Sequence, residues 1–407
     1  MTSSLPLPSS HDDPLAIARS LDPETLSQTI ALRDWLVTAA ARLEDPNGVL
    51  SGTAERLRAM GIPIDRAALA IEALHSEYAG IGRFWTPDAD TVVRYLPHGT
   101  RREEDYESSP FAHVNRTGEW LALELATTPD DMFPVLRELK DAGYRHYLTI
   151  PMPFSKGAKN AISFATRDPE GFDDRALLVL RLVIPSFTLV IELRATNNRL
   201  DDVLRIYVGD EPHKAILSGA IQRGQVTRIR SAILFADMRD YTRISSTLSP
   251  ESAVELLNNY FDCLVPPIED EGGEVLKYLG DGLLAIVRDR GDDTGGAPQA
   301  ALSAATKAIR RVQAANNEGR FPVPINIGIA LHHGDAAYGN VGSGRRLDFT
   351  VIGRDVNLAS RIAELNKTLG EPLLMSKAFV EHLWGNPVPL GFHAIDGFEE
   401  KIEVFRP

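Results

Sequence analysis

Two stretches decide the fold: Ala232-Ile233-Leu234-Phe235-Ala236-Asp237-Met238-Arg239-Asp240-Tyr241-Thr242, and downstream Gly272-Gly273-Glu274-Val275-Leu276-Lys277-Tyr278-Leu279-Gly280-Asp281-Gly282-Leu283-Leu284-Ala285-Ile286-Val287. The first reads as an apolar strand that delivers Asp237 to its end before polar residues open a helix. The second reads as a hairpin with Asp281 in a glycine-flanked tip. Two carboxylates on adjacent strand ends suit a pair of hard divalent cations handling phosphates.

Outward from this pair, the module from Gln225 to the C-terminus alternates strands and helices. Strand 232–235 leads to helix 240–246. Ser249-Pro250-Glu251 then starts a helix through Phe261, with Ser at the cap and Pro in the first turn. After the hairpin come a polar loop at 288–297, an amphipathic helix at 300–315, strand 325–331 and the glycine-containing run 334–342. Strand 347–352 runs into helix 356–366, where Asn357 and Arg361 stand four apart on one face. The βααββαβ order fits a ferredoxin-like α/β (α+β) core with extra elements.

Upstream, helical spacing covers 24–44 (Leu26, Ile30, Leu32, Leu36, Ala40, Leu43), 52–60 and 67–75. Short strands are expected at 82–85 and 90–96, a helix at 133–142, and a strand pair at 147–154 and 160–166. His75, His98, His113 and His146 lack the spacing of a metal or haem site and read as ordinary hydrogen-bonded histidines. A helix from Asp173 to Val208, passing through Pro185, follows as a connector. Leu189, Leu193, Leu200, Leu204 and Tyr207 trace a near-heptad seam along it, with Asn197 in the skipped position. That seam fits either a helix packed on its own domain or a parallel dimer helix. The reading divides the chain into a disordered tail at 1–22, a sensor at 23–172, a connector and dimerisation segment at 173–224 and a catalytic domain at 225–407.

A length of 407 residues suits two domains plus a connector. Hydrophobic content of 43% with 24% charged residues is that of an ordinary globular chain, and a net charge of −13 argues against a general nucleic-acid surface. The single cysteine, Cys263, excludes an internal disulfide or a cysteine-built metal cluster, and its apolar helical context assigns it to packing. The first twenty residues lack a basic leader and a continuous apolar core, so no signal peptide is expected. The most apolar run, 176–193, is broken by Arg181 and Pro185 and reads as a poor membrane span. A cytoplasmic location follows as an expectation.

Four motifs, in order and with matching internal spacings, resemble the class III nucleotidyl cyclase catalytic domain across 230–405. They are Phe235-Ala236-Asp237-Met238-Arg239-Asp240-Tyr241-Thr242, Lys277-Tyr278-Leu279-Gly280-Asp281, the run 334–342, and Asp348-Phe349-Thr350-Val351-Ile352-Gly353-Arg354-Asp355-Val356-Asn357-Leu358-Ala359-Ser360-Arg361-Ile362. The resemblance implies that Asp237 and Asp281, with the Met238 carbonyl, hold two Mg²⁺ or Mn²⁺ ions. It implies that backbone amides at Asp240, Tyr241 and Thr242 cradle phosphates. Asn357 would orient the ribose, and Arg361 would stabilise charge on the α-phosphate. Lys277 and Thr350 stand at the base-selecting positions. A lysine donor to adenine N1 with a threonine hydroxyl favours ATP and resembles the threonine-type subclass that includes bicarbonate-responsive cyclases. Asp240 and Tyr241 replace a usual Gly-Phe, and Arg354 replaces a common acid; Arg239 and Arg354 are candidates to rebalance that charge. Lys401 could reach phosphate, though an exposed edge-strand lysine is the simpler reading.

In the family, metal aspartates and the Lys, Thr, Asn and Arg come from opposite subunits, which implies a homodimer with composite sites. The 154–193 region resembles the closing strands and final helix of a GAF domain, which implies a sensor for an unidentified small molecule. The expected activity is therefore a sensor-regulated adenylate cyclase. The alternatives are a guanylate or pyrimidine nucleotide cyclase, and a catalytically silent nucleotide-binding module.

Overall fold

The computed structural model describes residues 13–43, 45, 47–75, 77–157, 160–219, 224, 226–289, 296–343 and 346–407, without the side chains of 100–103, 211, 338, 346 and 349. The chain divides into two compact units, one up to Val203 and one from Leu204.

The first unit contains α1 (Pro14–Ser20), α2 (Pro23–Thr38), α3 (Gly48–Ala59), β1 (Arg66–Glu72), β2 (Tyr78–Thr86), β3 (Ala89–Pro97), α4 (Thr100–Glu107), α5 (Pro110–Thr117), β4 (Leu121–Glu124), α6 (Val135–Asp141), β5 (His146–Pro151), β6 (Ala161–Thr166) and most of α7 (Asp174–Val208). Its six-stranded sheet has the order β3-β2-β1-β6-β5-β4, every neighbour antiparallel. Leu69, Trp85, Leu148, Ile150, Ile162 and Phe164 pack one face against α2, α3 and α7.

Several expectations change here. Of the tail, residues 1–12 lie outside the described residues; the remainder is ordered, because Asp13 caps α1 and Ile17 and Leu21 are buried. The helix expected at 67–75 is instead β1. Its alanines favour a helix in isolation, but pairing on both edges and burial of Ala67, Ala68 and Leu69 decide the matter. In α2 the buried face is Thr25, Thr29, Leu32 and Leu36, while Ile30 is exposed. The connector is no separate body: α7 continues through Pro185 and buries Val179, Val183, Phe187 and Val190 in the first unit's core. By length and composition α7 could cross a membrane, yet 67% of its most apolar window is buried. Leu189, Leu193, Leu200 and Tyr207 lie exposed along it.

The second unit continues with α8 (Asp210–Leu217), β7 (Val226–Met238), α9 (Tyr241–Ser245), α10 (Pro250–Asp270), β8 (Glu274–Leu279), β9 (Gly282–Arg288), α11 (Gly296–Asn317), β10 (Ile327–Ser343), β11 (Arg346–Ile352), α12 (Arg354–Leu369), β12 (Leu373–Ser376), α13 (Lys377–Val380), β13 (Val388–His393) and β14 (Ile402–Arg406). Its eight-stranded sheet runs β13-β14-β12-β10-β7-β9-β8, with β11 added on β10. All pairs are antiparallel except β10 with β12. The period-two alternation of β7 explains the layers. Ala232, Leu234, Ala236 and Met238 face α10 and α11, while Ile233 packs with Val356 and Ala359 of α12 on the other side. Ser249 caps α10 by accepting the Ser252 N–H, as its sequence predicts, but the helix runs past Phe261 to Asp270. Cys263 is buried, in keeping with packing.

Candidate active site

The second unit is built around β7, which pairs with β10 over its whole length and with β9 over its second half. Asp237 sits opposite Gly328 on one side and Gly282 on the other. Those glycines leave room: a Cβ on Gly282 would come within 3.2 Å of Asp237 Oδ1 and 2.8 Å of the Ala236 carbonyl. Leu279 pairs with Gly282, so Asp281 occupies a two-residue tip beside Gly280, which adopts a left-handed φ of 68°. The two carboxylates are therefore brought together, as the sequence predicts. Asp237 is pushed up from 3.8 to about 6, first by withdrawal from water and then by the negative charge of Asp281.

A pair of carboxylates pressed together in this way is a donor set of hard oxygens that fits divalent cations. Among the described residues no cluster of three or more His, Cys, Asp or Glu side chains is arranged to hold a metal. Tyr260, which sequence reasoning missed, lies fully buried on α10, and its hydroxyl has no hydrogen-bond partner among the described residues. Burial, then the charges of Asp237 and Asp281, hold that phenol well above its ordinary range.

Asp240 is the only non-glycine among the described residues at positive φ, with φ 57° and ψ 24°. This backbone is left-handed, which is why glycine is usual at such a position and why aspartate is one of the few tolerable substitutes. Tyr241 and Thr242 follow in the first turn of α9. The extra charge of Asp240 meets Lys367 at 3.9 Å and also acts on the expected Arg239, whose guanidinium feels both Asp237 and Asp240. Arg239 lies across Gly328 and donates to the Glu371 carbonyl at 3.2 Å, and Arg354 lies over the Phe398 ring.

Lys277 projects from β8 and donates to Asp348 Oδ2 at 2.7 Å. Asp348 and Thr350 alternate onto the same face of β11, so the expected base-selecting pair shares a neighbourhood with Asp348 as an additional member. A cavity of about 1190 Å³ includes Lys277, Tyr278 and Asp348 with Arg205, Glu269 and Arg288 in its lining. Asn357 and Arg361 point away from the buried Val356, Leu358, Ala359 and Ile362 of α12. Arg361 is held by Glu364, one turn on, at 2.7 Å. Lys401 is exposed just ahead of β14. His75, His98, His113 and His146 are dispersed over the first unit: His75 stacks on Tyr78, His98 bonds the His75 carbonyl, His146 bonds the Pro169 carbonyl and His113 meets the edge of Phe133.

Residues 226–378 match the family described as the adenylate and guanylate cyclase catalytic domain. That match lies wholly within the second unit of this mixed α/β chain. An adenylate cyclase of Anabaena cylindrica is 36% identical over 198 residues, covering 46% of this chain and 38% of that protein. Adenylate cyclase 1 of Rhizobium meliloti is 32% identical over 197 residues, covering 46% of this chain and 29% of that protein. A solved bacterial light-regulated adenylyl cyclase is 25% identical with a TM-score of 0.46, covering 53% of this chain and 63% of that one. The matched region is thus well under half the length of both curated relatives.

Proposed function

We propose that this chain is an adenylate cyclase that converts ATP to 3′,5′-cyclic AMP and pyrophosphate as a homodimer with composite sites. The observation that carries the reading is the Asp237–Asp281 pair, held by glycine-flanked strands within a domain that matches cyclases.

Asp237 and Asp281, with the Met238 carbonyl, would hold two Mg²⁺ or Mn²⁺ ions. When bound, such ions acidify the ribose 3′-hydroxyl and neutralise phosphate charge. The 3′-oxygen attacks the α-phosphorus in line and pyrophosphate leaves. The start of α9, at Asp240, Tyr241 and Thr242, receives the phosphates. From the other subunit, Lys277 and Thr350 read the adenine edge, with Asp348 orienting the lysine. Asn357 of that subunit orients the ribose, and Arg361 swings from Glu364 to the charge growing on the α-phosphate.

We assign the first unit to a GAF-like sensor for a small molecule; a six-stranded antiparallel sheet closed by α7 supports this. The exposed stripe of Leu189, Leu193 and Leu200 on α7 supports parallel pairing of two copies. Thr350 assigns the enzyme to the threonine-type subclass, and burial of α7 favours a cytoplasmic chain without a membrane span.

The test is to incubate the purified 407-residue chain with Mg²⁺ or Mn²⁺ and each of the four nucleoside triphosphates, separating products by chromatography. Cyclic AMP as the dominant product is expected. Preference for GTP or a pyrimidine nucleotide would move the assignment to those cyclases, and no cyclic product from an intact dimer would leave a silent nucleotide-binding module. Mixing Asp237→Ala with Arg361→Ala subunits is expected to restore one working site per heterodimer.

A further inference from the structure

One edge of β10 has no strand partner, among the described residues, between Leu331, the last residue in register with β12, and Ala337, the first in register with β11. The first turn of α12 fills this gap. Asp355 Oδ2 accepts the Asp335 N–H at 2.7 Å. The fit has no slack: a Cβ on Gly334 would come within 2.2 Å of Asp355 Oδ2, and one on Gly353 within 3.2 Å of the Asp335 carbonyl.

Behind the carboxylate stands His332, only 4% exposed. Its Nε2, buried and without a hydrogen-bond partner among the described residues, faces Asp355 Oδ1 at the ion-pair distance of 3.6 Å, and its Nδ1 lies 2.7 Å from Ser376 Oγ. Ser376 Oγ also accepts the Phe379 N–H at 3.2 Å. Because Nε2 faces a carboxylate, which can only accept, the favoured tautomer carries its proton there and leaves Nδ1 to accept from the Ser376 hydroxyl. His332 first, and the Asp335 N–H after it, hold the Asp355 carboxyl below its ordinary range. Asp355 lies two residues before Asn357 on the same helix.

We propose that His332 is a positioning residue for the cyclisation: braced by Ser376, it holds Asp355 in the β10 gap. The first turn of α12, and with it Asn357 and Arg361, is thereby held in register with the substrate. The proposal rests on the cyclase reading above. Ångström-scale misplacement of groups that act on a transition state lowers rate on the order of 100-fold while leaving ground-state contacts largely intact.

The test uses the whole 407-residue chain. His332→Leu is expected to lower kcat roughly 10- to 100-fold with the KM for ATP nearly unchanged. His332→Gln, which keeps an N–H donor toward Asp355, is expected to recover most of the loss. In mixed dimers His332→Leu should regain activity with Asp237→Ala and fail to do so with Arg361→Ala, because only the Asn/Arg half of its site is damaged. A general loss of stability would not sort by partner in this way. Wild-type kcat in His332→Leu, recovery with Arg361→Ala instead, or a glutamine no better than leucine would overturn the proposal. Should the leucine variant not fold, Asp355→Asn keeps an oxygen for the Asp335 N–H but removes the charge, and must give the same kcat loss and sorting; wild-type behaviour overturns the proposal. If Asp237→Ala and Arg361→Ala fail to complement while the native enzyme is active, the shared-site reading has failed, and His332 is judged on kcat against KM alone.

Discussion

Replacing Asp281 by asparagine is expected to abolish cyclase chemistry and, in chelated protein, to stabilise the second unit. The two carboxylates repel, and Asp237 is displaced from 3.8 to about 6, with Asp281 the second cause after withdrawal from water. The whole displacement corresponds to roughly 3 kcal/mol at ~1.36 kcal/mol per pH unit. Asp237 keeps a solvent-exposed surface, so screening leaves on the order of 1 kcal/mol for removing its neighbour's charge. A carboxyl with a raised folded value contributes fully while protonated, and that contribution is lost as pH rises through about 6. The benefit of Asp281→Asn is therefore expected to be near zero at about pH 4 and complete above about pH 7. Hydrogen exchange of β7 and β9 amides in a chelator, compared between the two proteins at each pH, reads this unit separately; about fivefold slower exchange at neutral pH is expected. Added Mg²⁺ or Mn²⁺ should protect the native protein more than the variant. Faster exchange in the variant at neutral pH, or the same gain at acid pH, would refute the reasoning.

Asp240→Gly is expected to raise the melting temperature through relief of about 1 kcal/mol of left-handed strain, whereas Asp240→Val should lower it by more, both read by calorimetry. Asp348→Ala frees Lys277 from its 2.7 Å partner and is expected to reduce the preference for ATP over GTP, measured as the ratio of kcat/KM values. With Cys263 buried, engineered thiols on α7 report cleanly: Leu193→Cys and Leu200→Cys should cross-link two copies on mild oxidation, while Asn198→Cys should not.

What was legible in the sequence was whatever is local. The Asp237 strand, the Asp281 hairpin and the Asn357/Arg361 helix each carry their own periodicity and turn residues, and each stands where expected. The segment 67–75 misled because its alanines favour a helix, and only neighbours distant in sequence make it a central strand. The identity of residue 240 looked like a departure in charge; the backbone makes it a conformational matter, answered by φ. Asp348, Tyr260 and His332 could not be assigned from spacing, since each acts through a residue far along the chain. The unpaired stretch of β10 is likewise invisible until β11 and β12 have chosen their registers.

The pairing of β7 also sets an order of assembly. β9 reaches β7 across roughly 45 to 57 residues of chain, whereas β10 must close roughly 90 to 113. Loop closure and contact order favour the nearer partner, so the β7–β9–β8 half is expected to form before β10 arrives to complete the sheet. Asp237 and Asp281 both belong to that earlier half. If the two carboxylates hold metal as proposed, a cation would meet them during synthesis while the arginine helix is still being made, and divalent metal is expected to accelerate refolding as well as catalysis. Until β10 closes, the far edge of β7 is open to other chains, which makes the interval between the two closures the moment when this domain is most exposed to aggregation.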